Sequence, residues 1–127
     1  MKLQSYLMGE WREGQGEGVP VRDASTGEVL ARVTAEGLPV KAAVAWGREV
    51  GGRALLALGF QERGRRLRAL AQYPSERKEA LYRLYATTGG TRRDAWYDVD
   101  GGIGVLYTYS SLARHLPEGN LLPEDDF

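Results

Sequence analysis

Apolar positions along this chain change their period once, near Pro39. Before it, residues 1–37 carry short apolar stretches cut by turn residues: Tyr6-Leu7-Met8, then Gly9-Glu10-Trp11, then the run Gly14-Gln15-Gly16-Glu17-Gly18. Val19 and Val21 precede Asp23-Ala24-Ser25-Thr26-Gly27, and Val29, Ala31 and Val33 alternate with their neighbours after it. Alternation on both sides of a Thr-Gly turn predicts a β-hairpin pairing roughly residues 19–23 with 28–34. Such a hairpin is marginal alone and needs a surface to lie on.

Beyond Pro39 the spacing is helical. Val40, Ala43, Val44, Gly47, Val50, Gly51, Ala54, Leu55 and Leu58 recur at intervals of three and four, with Pro39 suited to a first helical turn. A second stretch sets Phe60, Gly64, Leu67, Leu70 and Ala71 on one face. Pro74 is expected to break that helix and Ser75 to cap a third over Glu76–Thr88, striped by Ala80, Leu81, Leu84 and Tyr85 and stopped by Gly89-Gly90. Thr91-Arg92-Arg93-Asp94 is close to a capping box, with Asp in place of Glu or Gln, and opens a fourth helix running to about Arg114. The pattern predicts an α+β chain, mostly α, in a single domain. A β-hairpin region covers residues 1–37, about four helices occupy 38–116, and a tail runs over 117–127.

Length and charge narrow the function. At 127 residues, the surface scaling leaves roughly 6,700 Å² exposed of about 20,000 Å² in the extended chain, enough for one modest core. Seventeen Lys plus Arg balance seventeen Asp plus Glu. A nucleic-acid partner is therefore not expected, because phosphates call for a basic excess. No apolar run approaches the ~20 residues that span a bilayer, and Met1–Trp11 lacks the order of a signal peptide. The chain is expected to be cytoplasmic, with no membrane partner. Without cysteine there is no disulfide, thiolate metal site or cysteine nucleophile, and with His115 as the sole histidine no Ser-His-Asp or multi-histidine site can form.

The remaining candidates are weak. Gly14-x-Gly16-x-Gly18 would cradle a phosphate only between a strand and a helix N-terminus; a strand follows it, so it reads as a loop. Gly101-Gly102-Ile103-Gly104 lies inside a helical pattern, where each glycine costs about 0.8–1 kcal/mol relative to alanine. The missing side chains serve either close helix packing or an open channel. Asp98 and Asp100, two residues apart on a helix, are expected to face different ways, solvated or paired with Arg. Glu124-Asp125-Asp126 makes an acidic end, His115 stands near the last helical carbonyls, and Arg63, Arg65, Arg66 and Arg68 form a solvated face near Glu62. Trp11, Trp46 and Trp96 read as core or interface anchors. The residues themselves supply no catalytic constellation.

Three segments resemble a known family. Tyr6-Leu7-Met8-Gly9-Glu10-Trp11 is similar to the opening strand of the aldehyde dehydrogenases. Val21–Val33 is similar to their "Asn-Pro-Ser/Ala-Thr-Gly-Glu" hairpin, with Asp23-Ala24 where Asn-Pro is usual. Thr87–Leu112, and above all Asp100-Gly101-Gly102-Ile103-Gly104, resembles the dehydrogenase portion of the bifunctional phenylacetic acid degradation proteins. Together the likeness covers residues 3–126.

The resemblance implies the N-terminal part of the α/β aldehyde dehydrogenase fold, in a family that oxidises a semialdehyde-CoA with NADP or NAD beside a fused hydratase domain. It places the family's catalytic cysteine, general-base glutamate, oxyanion asparagine and cofactor-binding βαβ unit beyond this segment. It thus implies an incomplete domain, truncated at Phe127, with no catalytic residue and no cofactor of its own, inactive alone. The helix matching Arg92–Arg114 lines the family's aldehyde entrance tunnel, and the two lining positions fall on Tyr97 and Gly101. Small residues there would widen it for a CoA thioester. The expected partner is the remainder of the dehydrogenase or a second copy, since removing the neighbouring domain would bare side chains such as Leu55, Leu58, Trp96, Ile103, Leu106 and Tyr109. The alternative is a stand-alone helical interaction module that binds a protein partner or self-associates.

Overall fold

A computed structural model describes residues 1–122. The chain falls into two compact units, Met1–Arg53 with Thr87–Gly89, and Ala54–Ala86 with Gly90 onward.

In the first unit, β1 (Gln4–Leu7) pairs antiparallel with β2 (Glu10–Glu13), and β3 (Val19–Arg22) with β4 (Val29–Val33). The second hairpin is the expected one, in the register Val19 opposite Val33 and Val21 opposite Ala31. The first was not expected. Its strands hold Tyr6 beside Leu7 and a lone Trp11, so no apolar alternation announces them. They are held by main-chain pairing and by the rings of Tyr6 and Trp11, opposite each other and meeting edge-on at 5.1 Å. Met8 (φ 55°) and Gly9 (φ 88°) make the turn, the two positive φ values that a tight hairpin demands. Asp23 shapes the other turn, its Oδ1 accepting from the N–H groups of Ser25 and Thr26 at 2.8 and 3.0 Å. The Ala24 N–H donates to the Thr87 carbonyl at 2.8 Å, which ties residues 87–89 to this turn. Helix α1 (Val40–Trp46) then opens into a wide π turn (Gly47–Gly52) and a short α2 (Arg53–Leu56).

The second unit is helical: α3 (Phe60–Ser75), α4 (Lys78–Ala86), α5 (Arg92–Ala95), a π turn (Trp96–Asp100), α6 (Gly101–Leu112) and a 3₁₀ turn (Ala113–His115). The last four are one helical stretch, as the spacing predicts. Ser75 is not an N-cap. Pro74 sits in the last turn of α3, where it forfeits one hydrogen bond, and the chain turns through Glu76 and Arg77 before α4 begins at Lys78. The Thr91 capping box does form, and Asp serves in it as Glu would: Thr91 N–H donates to Asp94 Oδ2 at 2.8 Å while Asp94 N–H donates back to Thr91 Oγ1.

α3 packs on α6 through small residues. Gly64 and Ala71 of α3 are buried, as are Ile103 and Ser110 of α6 and Ala113 beyond it. Among the described residues no large side chain is fully buried. Of the six expected core or contact positions, Ile103 is buried, Leu58 and Leu106 are half-buried, and Leu55, Trp96 and Tyr109 are exposed. Trp11 and Trp46 are exposed as well, so none of the three tryptophans is a core residue. Among the described residues no helix is long and apolar enough to cross a membrane.

Candidate functional site

Tyr97 lies on the π turn and Gly101 opens α6, one turn later. With Trp96 and Asp100 they line a shallow cleft of about 220 Å³. The rings of Trp96 and Tyr97 meet edge-on at 4.9 Å, and the Arg93 guanidinium stands 5.9 Å from the Tyr97 ring. A Cβ added at Gly101, Gly102 or Gly104 would meet nothing within 4 Å. Close helix packing therefore does not account for these glycines among the described residues. Gly64, which the sequence offered only as one apolar position among several, is the glycine that a helix crossing requires.

The polar framework of this cleft comes from α4. Lys78, Tyr82 and Tyr85 recur at four and three residues and so share a face. Lys78 Nζ and Tyr82 Oη both donate to the Asp100 carboxylate, and Tyr85 Oη donates to Asp98 Oδ2 at 2.6 Å. The expectation that Asp98 and Asp100 would face different ways, solvated or paired with Arg, is thus corrected: both reach α4, through lysine and tyrosine. Counting positions on an isolated helix leaves out α4, whose long Lys78, Tyr82 and Tyr85 side chains reach both carboxylates. Beside them, Arg92 forks onto Glu79 at 2.7 and 3.2 Å and stacks 5.0 Å from the Tyr82 ring.

These contacts favour the charged form of Asp100 and the neutral form of the two tyrosines. The hydrogen bonds from Lys78 and Tyr82 hold Asp100 below the usual carboxylate range. Tyr82 and Tyr85 are raised above the usual phenol value, because each would ionise beside the carboxylate it is bonded to. At neutral pH the carboxylate of Asp100 is charged and both phenols are protonated, so neither kind of group is poised for proton transfer.

Other candidates resolve into structure. Lys2 Nζ donates to the carbonyls of Gly14 (3.3 Å) and Gly16 (2.8 Å), and a Cβ at Gly18 would stand 2.6 Å from the Val33 carbonyl oxygen. The glycine run thus lies against β4 and turns carbonyls, not N–H groups, toward a cation. With β3 next in the chain, it does not fit a dinucleotide phosphate. Arg65 and Arg66 pair with Glu62 at 2.7 and 3.0 Å on an open face, whereas Arg63 Nε donates to the carbonyls of Leu55 and Leu58 at 3.1 and 3.0 Å. At the end of the last helix, beside His115, Gln61 Nε2 donates to the carbonyls of Ala113 at 3.4 Å, Leu116 at 2.9 Å and Pro117 at 3.2 Å. Glu124-Asp125-Asp126 lies outside the described residues.

The family model for "Aldehyde dehydrogenase family" matches residues 11–126. This chain belongs to the aldehyde dehydrogenase family. It is also similar to a curated 3,4-dehydroadipyl-CoA semialdehyde dehydrogenase from Aromatoleum evansii, 38% identical over 125 residues, which is 98% of this chain and 24% of that protein. The chain spans about a quarter of the length of the curated relative it matches. Sequence reasoning missed the α4 framework. Its signal was the spacing of Lys78, Tyr82 and Tyr85, obscured because Tyr85 also fits the apolar stripe.

Proposed function

We propose that this chain is the N-terminal part of an aldehyde dehydrogenase that oxidises a CoA-linked semialdehyde of aromatic degradation with NADP, in the cytoplasm, and that it is inactive by itself. Its part in that enzyme is to shape the aldehyde entrance with Tyr97 and Gly101. The observation that carries this reading is the open face of α6. Gly101, Val105, Tyr109 and Leu112 fall on one stripe and are all exposed, while Ile103, Ser110 and Ala113 face α3. α6 holds no charged residue. A helix apolar on both faces belongs inside a larger protein. On that stripe Gly101 leaves room for a substrate arm that a short aldehyde would not need.

Oxidation of an aldehyde in this family calls for a thiol nucleophile and a hydride acceptor. This chain has no cysteine, and its glycine run does not fit the acceptor's phosphates. Both would come from the rest of the polypeptide. The purified chain, offered semialdehydes and their CoA thioesters, is expected to give no NADP reduction, while a polypeptide that continues through the cysteine and cofactor segments is active. Turnover by the 127-residue chain itself would overturn the proposal.

A further inference from the structure

We infer that Lys78, Tyr82 and Tyr85 are positioning residues for substrate selection: by holding Asp98 and Asp100 from α4 they fix the π turn between Tyr97 and Gly101, and with it the width of the entrance. The inference rests on the reading that Tyr97 and Gly101 border that entrance.

The π turn has little else to hold it. None of its five residues is buried, and Trp96, Tyr97 and Asp98 are exposed. Gly101 and Gly102 follow directly, so the helix there gains no support from side-chain propensity. π turns occur mostly as single bulges inside α-helices, frequently at functional sites. Here the bulge is anchored on both sides of Val99, with one carboxylate held by Tyr85 and the other by Lys78 and Tyr82. Hydrogen bonds to an ionised carboxylate are the stronger kind, and three of them converge on one turn. Released, the turn relaxes toward α geometry, which swings Tyr97 relative to Gly101 by up to about 100°, the rotation of one α-helical residue. The cleft those residues line would change shape without any change in their identity.

The test uses the active dehydrogenase polypeptide that carries this chain, with Tyr82→Phe and Asp100→Asn. Hydrogen exchange of the amides of residues 96–101 should speed up about fivefold, the effect of losing one typical net hydrogen bond. KM for the CoA-linked semialdehyde should rise by a similar factor with kcat held, while KM for a short aliphatic aldehyde stays put. Lys78→Arg, which keeps the cation, should behave as the parent. Tyr82→Phe keeps the ring and its stacking with Arg92, so it reports even if Asp100→Asn folds poorly. Unchanged exchange and an unchanged KM ratio in both variants would overturn the inference. Gly101→Met separates the two layers. If it leaves discrimination between the two substrates unaltered, the entrance reading falls and this inference with it. If it impairs the bulky substrate while the framework variants do not, only the positioning role falls.

Discussion

Gly64 of α3 lies directly against Ala113: a methyl group at Gly64 would fall on the Ala113 methyl and stand 2.9 Å from the Ser110 carbonyl oxygen. Alanine is the better helix former by about 0.8–1 kcal/mol, but overpacking a close crossing costs about 1–3 kcal/mol. Gly64→Ala should therefore lower the urea midpoint. Gly101→Ala is the counterpart, since a Cβ there meets nothing within 4 Å, and it should gain about 0.8–1 kcal/mol. Shifts of the same sign in the two variants would contradict the packing assigned to α3 and α6.

The Thr91 cap offers a second test. Thr91→Ala removes the acceptor for the Asp94 N–H and strands the start of α5, an effect of about 1 kcal/mol. Asp94→Ala loses the reciprocal bond to the Thr91 N–H, and the double variant should lose less than the sum, since the two residues form one unit. Additive losses in denaturant titrations would mean that the two bonds act independently.

The titrating groups set the pH dependence. Hydrogen bonds from Lys78 and Tyr82 lower Asp100 from its ordinary 3.8, those from Thr91 lower Asp94 from 3.8, and Arg65 and Arg66 lower Glu62 from 4.5. A carboxylate with a lowered folded value contributes stability that is complete above its ordinary value and is lost as pH falls through the lowered one. The melting temperature should hold through neutral pH and decline on the acid side of about 4, and Asp100→Asn should flatten part of that decline. Tyr82 and Tyr85 act at the other end: raised above 10.0, they contribute stability that is complete below 10 and lost as pH rises through their folded values. Ultraviolet titration should show two tyrosines ionising late, and only after their bonds to Asp100 and Asp98 are removed should they join the rest.

Much of this fold was legible because it is local. The hairpin of β3 and β4 follows from alternation around Thr26-Gly27, the helical stretches from their three- and four-residue spacing, and the start of α5 from Thr91 and Asp94. The hairpin of β1 and β2 was hidden because Tyr6 beside Leu7 and a lone Trp11 make no apolar alternation, and the end of α3 because proline in a last turn costs too little to move a boundary. Periodicity gives the apolar face of a helix but not what covers it, which is why Leu55, Trp96 and Tyr109 could be read as core or contact surface and stand open. Tyr97 drew attention only through the family likeness, whereas Gly101 already stood out in the glycine run as a mark of close packing or an open channel. The hold of α4 on Asp98 and Asp100 is a contact between two helices, which no period within either one marks.

The open stripe on α6 makes the last prediction. Val105 is 54% exposed, Tyr109 61% and Leu112 46%, with Trp96 nearby in sequence at 53%. Contiguous apolar surface beyond a few hundred Å² is rare on a soluble monomer and tends to find a partner. For the 127-residue chain purified alone, the partner at hand is a second copy, and the net charge of zero offers no repulsion against it. Light scattering should show a mass that grows with concentration. Val105→Glu with Tyr109→Lys should restore the monomer at little cost to the fold, because neither side chain is buried against α3. The same pair placed in the active, longer dehydrogenase should be harmful, since there the stripe would be covered and even a Glu–Lys pair four residues apart costs more to desolvate than its attraction returns. A chain that stays monomeric at high concentration, or a longer enzyme indifferent to the two charges, would show that the face of α6 is built for water.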